Sequence, residues 1–172
     1  MFLDYNMNPY YGMYNYKGEN DYRNVSQSNM YSGEIITLNQ AIELIRQSVE
    51  NEKEDELFYD NLIEQAPTEK HKEIIRSIRN DERKHNQILR KLYYNFTGQI
   101  IPQDISVPSI NTNLSYKENL EKALFSELNA VTKYRKIMGT MPSGESYTLL
   151  MAIMTDELRH ANKYNFLIHN AK

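Results

Sequence analysis

The chain contains one pattern of residues twice, at a constant offset of 75 positions (82 to 157, and 85 to 160). Asp-Glu-x-x-His occurs at residues 81–85 and again at 156–160. The same offset relates further pairs: Glu52 and Glu127, Tyr59 and Tyr134, Pro67 and Pro142, Thr68 and Ser143, and Ile78 and Ile153. The repeat therefore predicts two similar halves that pack about an approximate two-fold axis.

Each half carries the hydrophobic pattern of two helices. Apolar residues recur at steps of three and four positions in four stretches, which are residues 37–65, 69–96, 115–139 and 144–169. Thr68 and Ser143 follow prolines and are the expected N-caps of the second and fourth helices. Residues 98–114 contain two prolines and no helical period, so they form a long connection. The prediction is an all-α fold: a four-helix bundle of two duplicated hairpins with a long middle crossover.

The sequence divides at about residue 34. Residues 1–34 contain seven of the 14 tyrosines, with Asn, Gly and Met between them, and show no hydrophobic periodicity. We expect this segment to be a disordered, low-complexity tail, and residues 35–172 to be the bundle. Docking, self-association or tyrosine cross-linking is the alternative interpretation of the tail.

Charge and composition exclude several classes of function. The net charge is −3 and the pI near 5.8, which gives no reason to expect nucleic acid or a membrane surface as a partner. No apolar run is long enough to span a membrane and no signal-peptide pattern opens the chain, so we expect a cytoplasmic protein. There is no cysteine. Any metal must therefore be bound by carboxylates and imidazoles.

Four glutamates lie on the helix faces that the periodicity places inside the bundle: Glu52, Glu82, Glu127 and Glu157. Four buried carboxylates would repel one another strongly, so a positive charge must lie among them. Lysines and arginines such as Lys133 and Arg159 fall on other faces. Two divalent ions would balance the four charges, with His85 and His160 as neutral ligands one helical turn from Glu82 and Glu157. This ligand set suits iron or manganese better than a structural zinc ion.

The chain over about residues 35–170 resembles the ferritin-like superfamily, and most closely the rubrerythrin-type di-iron domains. The segments "ENEKEDELFY" with "DERKH", and "ELNAVTKY" with "DELRH", carry the resemblance. It implies that two iron ions are held by six ligands: Glu52, Glu82, His85, Glu127, Glu157 and His160. It also implies that Tyr59 and Tyr134 hydrogen-bond the ligand carboxylates, although packing in the core is an open alternative for both. Rubrerythrins typically carry a further glutamate where this chain has Ala130, and their rubredoxin domain has no counterpart here.

Five other polar residues lie in or near the four helices, and two of them, the aspartates of the motifs, have two interpretations. Asp81 and Asp156 either hydrogen-bond the ligand histidine of the opposite hairpin or are exposed charges. Glu56, one turn after Glu52, could add a ligand. His71 and His169 are expected on the surface.

Three functions are compatible with such a site. The first is a di-iron oxidoreductase that reacts with hydrogen peroxide or dioxygen and uses an unknown electron donor. The second is iron handling, for which we expect a homodimer or a small oligomer. The third is a non-enzymatic structural protein, associated with a spore coat, that docks through its tyrosine-rich tail.

Overall fold

The computed structural model describes residues 36–50, 52–102 and 114–171, except for the side chains of residues 52 and 53. The predicted tail over residues 1–34 lies outside these ranges, as does most of the predicted crossover. Within them, every regular element is an α-helix and none is a strand. The predicted all-α fold class is confirmed. No helix in these ranges combines the length and the apolar character that crossing a membrane requires.

The helices of the described ranges are α1 Leu38–Glu50, α2 Glu52–Gln65, α3 Glu69–Thr97, α4 Tyr116–Met138 and α5 Glu145–Asn170. α1 and α2 together cover the range predicted for the first helix, and residue 51 between them is not described. Both pack against α3, whereas α4 packs most extensively against α5. Contacts of α4 with α1 and α2, and of α3 with α5, join these two hairpins into one helical bundle.

The helix ends follow local chemistry that the sequence partly reveals. Thr68 caps α3 as predicted: its backbone is extended and its hydroxyl accepts a hydrogen bond from the amide of His71. Gly98 ends α3 in the left-handed conformation, with φ of 68°. The prediction that Ser143 caps α5 is wrong. Gly144, with φ of 129°, takes that position, and no side chain caps the helix.

A polar layer separates two apolar clusters along the bundle. The first apolar cluster contains Ala41, Ile45, Val49, Leu89, Leu92, Ile101, Tyr134, Ile137, Met141, Leu150 and Ile153. The second contains Tyr59, Leu62, Ala66, Ile75, Ile78, Leu120, Ala123, Tyr164 and Leu167. On α3, α4 and α5, the chain passes from one cluster to the other through a Glu or a Glu-x-x-His. The packing therefore places those side chains at one level of the bundle.

His71 corrects another prediction, because it is buried and not on the surface. Its Nδ1 lies 3.0 Å from the hydroxyl of Tyr116, at the start of α4. Burial lowers the pKa of this imidazole, so it packs as a neutral ring. His169 is exposed, as expected.

Candidate metal centre

Three helices bring five of the predicted ligands together. α3 carries Glu82 and His85, α4 carries Glu127, and α5 carries Glu157 and His160. The histidine follows its glutamate by three residues in both α3 and α5, so each pair projects from one face of its helix. The sixth predicted ligand, Glu52, is the first residue of α2, and its side chain lies outside the described residues.

The inward-facing atoms of these side chains lie within contact distance of one another. His160 Nδ1 is 3.0 Å from Glu82 Oε1, 3.7 Å from Glu127 Oε2 and 3.8 Å from Glu157 Oε2. His85 Nδ1 is 3.3 Å from Glu82 Oε1 and 3.3 Å from Glu157 Oε1. Glu82, Glu127, Glu157 and His160 each offer one ligand atom, and these four atoms all lie within 4.8 Å of one another. A single cation can therefore contact several of them at once.

Hydrogen bonds do not account for this cluster. Glu82 Oε1, His85 Nδ1, Glu157 Oε1 and His160 Nδ1 are buried and have no partner with hydrogen-bond geometry. Native proteins rarely leave buried polar atoms unpartnered, because each costs about 1–3 kcal/mol. Four such atoms converging from two helices, all of them carboxylate oxygens or imidazole nitrogens, are the donor set of an iron or manganese site. The residues present therefore fit a metal centre.

The outer nitrogens of both histidines face an aspartate of the opposite hairpin. His85 Nε2 is 3.2 Å from Asp156 Oδ2, and His160 Nε2 is 3.4 Å from Asp81 Oδ2. Of the two interpretations of these aspartates, the hydrogen bond to the opposite histidine is the one that the structure shows. A carboxylate in this place holds the proton on Nε2, so that Nδ1 faces the cluster and is the nitrogen that can bind a metal once its own proton is lost.

Burial and neighbouring charges change the pKa values of four groups in the cluster. Burial opposes a charge on the histidines, but the adjacent carboxylates outweigh it and raise the pKa of His85 to about 10 and of His160 to about 11. Burial, together with Glu157 beside it, raises the pKa of Glu127 to about 9. Despite its own burial, Glu157 has a lowered pKa because both imidazoles are beside it. The protein groups thus hold several protons that an arriving cation must displace.

Lys133 was predicted on another face, and the structure corrects this. A cavity of about 280 Å³ adjoins the cluster, and Lys133 lines it together with Gln47, Ser48, Asp55, Phe58, Tyr59, Glu82, Ala123, Ser126, Glu127, Ala130, Tyr134 and Glu157. Its Nζ lies 4.7 Å from the ring centroid of Tyr134, and burial lowers its pKa. The length of the side chain explains the error: Lys133 precedes Tyr134, which is on the inner stripe, and a four-carbon stem is long enough to reach the cavity from there.

The predicted tyrosines are buried close to the cluster. Tyr59 is 7% exposed and Tyr134 is 4% exposed. Burial raises the pKa of both hydroxyls well above the ordinary value, so both are neutral donors. No hydrogen bond joins either hydroxyl to a carboxylate whose position is described, so that role stays a prediction. Tyr164, seven residues after Glu157, is a third buried tyrosine, and its hydroxyl has no hydrogen-bond partner.

Glu56 is engaged away from the cluster. Arg83 on α3 donates to both of its carboxylate oxygens, with distances of 2.5 and 2.7 Å. This two-point pair joins α2 to α3 at the surface, so the structure gives no support to Glu56 as an additional ligand.

Comparison with known proteins bears on the same residues. Residues 43–114 match the Rubrerythrin family model, a range that contains Glu52, Glu82 and His85. A solved structure of a hypothetical protein from Pyrococcus furiosus superimposes with a TM-score of 0.64 at 21% sequence identity, covering 78% of this chain and 94% of that one. At this identity the likeness shows the fold. A search of curated proteins finds no match. The match confirms the predicted rubrerythrin-type domain over residues 43–114, and the superposition shows a shared fold.

Proposed function

We propose, for a chain that carries a rubrerythrin-type ferritin-like domain, that the cluster binds two iron ions and reacts with hydrogen peroxide or dioxygen. The ligands would be Glu52, Glu82, His85, Glu127, Glu157 and His160. When bound, the two ferrous ions would supply two electrons to the oxidant. Four carboxylates balance the charge of two divalent ions, which leaves the imidazoles neutral.

The observation that carries this proposal is the set of buried, unpartnered ligand atoms. Two of them come from Glu82 and Glu157, and two come from the histidines three residues later. The duplication places equivalent residues on α3 and α5, so each half offers the same pair. A repeated pair is what two neighbouring ions require, because each ion then receives one imidazole and shares the carboxylates between them.

The distances support different roles for the glutamates. Glu82 Oε1 lies between the imidazoles, 3.3 Å from His85 Nδ1 and 3.0 Å from His160 Nδ1. Glu157 turns one oxygen to each imidazole. With oxygens beside both imidazoles, these two carboxylates would be the ones shared between two ions. Glu127 approaches His160 at 3.7 Å, which suits a terminal ligand, and its counterpart Glu52 would take the same role in the other half.

The surrounding residues would control access and protons. Tyr59 and Tyr134 hold neutral hydroxyls in the cavity wall, from which they would donate to ligand carboxylates or to the oxidant. The apolar clusters cover the polar layer above and below, and the cavity lined by Glu82, Glu127 and Glu157 would admit the oxidant from the side. The sequence contains no cysteine that could hold a rubredoxin-type iron site, so the electron donor would be of another kind. We expect the protein to act as a homodimer or a small oligomer in the cytoplasm.

The experiment is stopped-flow absorbance of the protein loaded anaerobically with ferrous iron. Mixing with hydrogen peroxide or with dioxygen should produce ferric absorbance, and the faster oxidant distinguishes a peroxidase from a ferroxidase. Glu157→Gln should lose the reaction, whereas Glu73→Gln, an exposed position on the same bundle, should retain it. If the iron-loaded wild type reacts with neither oxidant faster than free ferrous ion does, the proposed function is wrong.

A further inference from the structure

One arginine contacts both of the aspartates that face the histidines. Nη2 of Arg159 is 2.8 Å from Asp81 Oδ2 and 3.0 Å from Asp156 Oδ1. Asp81 in turn contacts His160, and Asp156 contacts His85. A single guanidinium therefore connects, through two carboxylates, to the outer nitrogen of each imidazole.

We propose that Arg159 is a positioning residue that orients both imidazoles of the metal centre. Nη2 of a guanidinium carries two N–H groups in the plane of the group, one for each carboxylate, whereas an ammonium rotates about its stem. With Asp81 and Asp156 fixed, each Nε2 proton has one acceptor in one place, and each Nδ1 must face the cluster. The inference rests on the proposed function, since the direction of Nδ1 matters only if it binds a metal.

The internal duplication supplies a natural contrast. Lys84 occupies the position equivalent to Arg159, at the offset of 75 residues (84 to 159). Its Nζ contacts Asp81 Oδ1 at 3.0 Å, and no contact to Asp156 is found among the residues whose positions are described. Lys84 thus touches one aspartate and Arg159 touches both. Arg159, in the second half of the repeat, is therefore the residue that contacts the aspartates of both halves.

The direction of the change in cation affinity distinguishes a positioning role of Arg159 from a purely electrostatic effect of its charge. Removing a positive charge close to a cation site should strengthen cation binding by Coulomb's law. Removing the contacts of Arg159 with the two aspartates should weaken cation binding, because the imidazoles lose their fixed orientation. The side chain of Arg159 is 54% exposed, so its truncation leaves the two apolar clusters intact.

The test compares Arg159→Ala with the matched variant Lys84→Ala by anaerobic titration of the metal-free full chain with ferrous ion. We expect Arg159→Ala to lower the affinity at least about tenfold, the usual scale for losing a group that orients a ligand. We expect Lys84→Ala to change it by about twofold or less. Nitrogen-15 spectra of the metal-free protein should show both ring Nε2–H signals exchanging faster with water in Arg159→Ala. Thermal unfolding verifies that both variants fold.

A double-mutant cycle tests whether the arginine acts through the aspartates. In an Asp81→Asn, Asp156→Asn background, Arg159→Ala should cause no further loss of ferrous affinity. An undiminished loss there, or wild-type affinity in Arg159→Ala, overturns the inference while leaving the proposed function standing. If the wild type itself binds no ferrous ion, the proposed function fails and this inference fails with it.

Discussion

Metal binding to this protein should release about three protons per chain at pH 8. The pKa values of His85, His160 and Glu127 are about 10, 11 and 9. All three groups therefore hold a proton almost completely at pH 8. Each must give it up before it can bind a cation, so the proposed ligands whose side chains the structure describes release about three in sum. Glu157 has a lowered pKa and contributes none.

Isothermal titration calorimetry measures this release. The metal-free protein is titrated with ferrous ion under anaerobic conditions, which prevent oxidation from adding protons of its own. Repeating the titration in two buffers with different ionisation enthalpies gives the number of protons from the difference in observed heat. His71→Gln is the matched control: that histidine is also buried, but its pKa is lowered, so the release should stay at about three.

A much smaller release of protons would refute this reasoning. Binding of two ferrous ions with release of fewer than one proton per chain would show that the imidazoles are neutral in the metal-free protein. The contacts of His85 and His160 with the carboxylates would then not be charged contacts. A release that falls in His71→Gln would show that protons are taken from a histidine distant from the cluster.

Three further outcomes follow from individual contacts. The free energy of unfolding of the metal-free protein, measured with urea, should fall as pH rises from about 6.5 toward 10. The raised pKa values of His85 and His160 mean that the folded state binds these protons more tightly than the unfolded state does. A constant free energy of unfolding over this range would contradict the assignment. Ile153→Ala, at a fully buried position, should reduce the free energy of unfolding by about 2–5 kcal/mol, and a loss below about 1 kcal/mol would show that the core there is loosely packed. Arg83→Ala should cost about 1 kcal/mol or less, since its pair with Glu56 is exposed; a changed iron content in that variant would implicate Glu56 in metal binding.

Helical periodicity was sufficient to predict most of the bundle. Interior positions such as Ile78, Leu89, Leu150 and Ile153 are all buried, because burial of one stripe is the main source of stability for these helices. The same stripe contains the glutamates, so periodicity also located the polar layer. Their charge made them informative, since an apolar residue on the stripe would have implied only packing.

The duplication gave the contact partners that periodicity alone could not. Equivalent positions in two halves that pack about an approximate two-fold axis face each other. That is why Asp81 reaches His160 and Asp156 reaches His85. A single copy of Asp-Glu-x-x-His would have left its aspartate without a predicted partner.

Features that depend on side-chain length or on one local backbone angle were missed. Lys133 lies one position from the inner stripe, and its four-carbon stem, which periodicity does not represent, reaches the cavity. His71 is buried because Tyr116, from the start of a distant helix, covers it. Gly144 displaced Ser143 as the cap because a positive φ suits glycine. Each case was decided by a tertiary contact or a single torsion angle.

Metal content per chain tests the central claim most directly. Protein purified from cells supplied with both iron and manganese is analysed by plasma mass spectrometry, alongside Glu82→Ala and Glu157→Ala. The wild type should contain two metal ions per chain, mostly iron, and both variants should lose them while remaining helical. A folded wild-type protein that contains no metal, or variants that keep two ions, would contradict the dimetal centre.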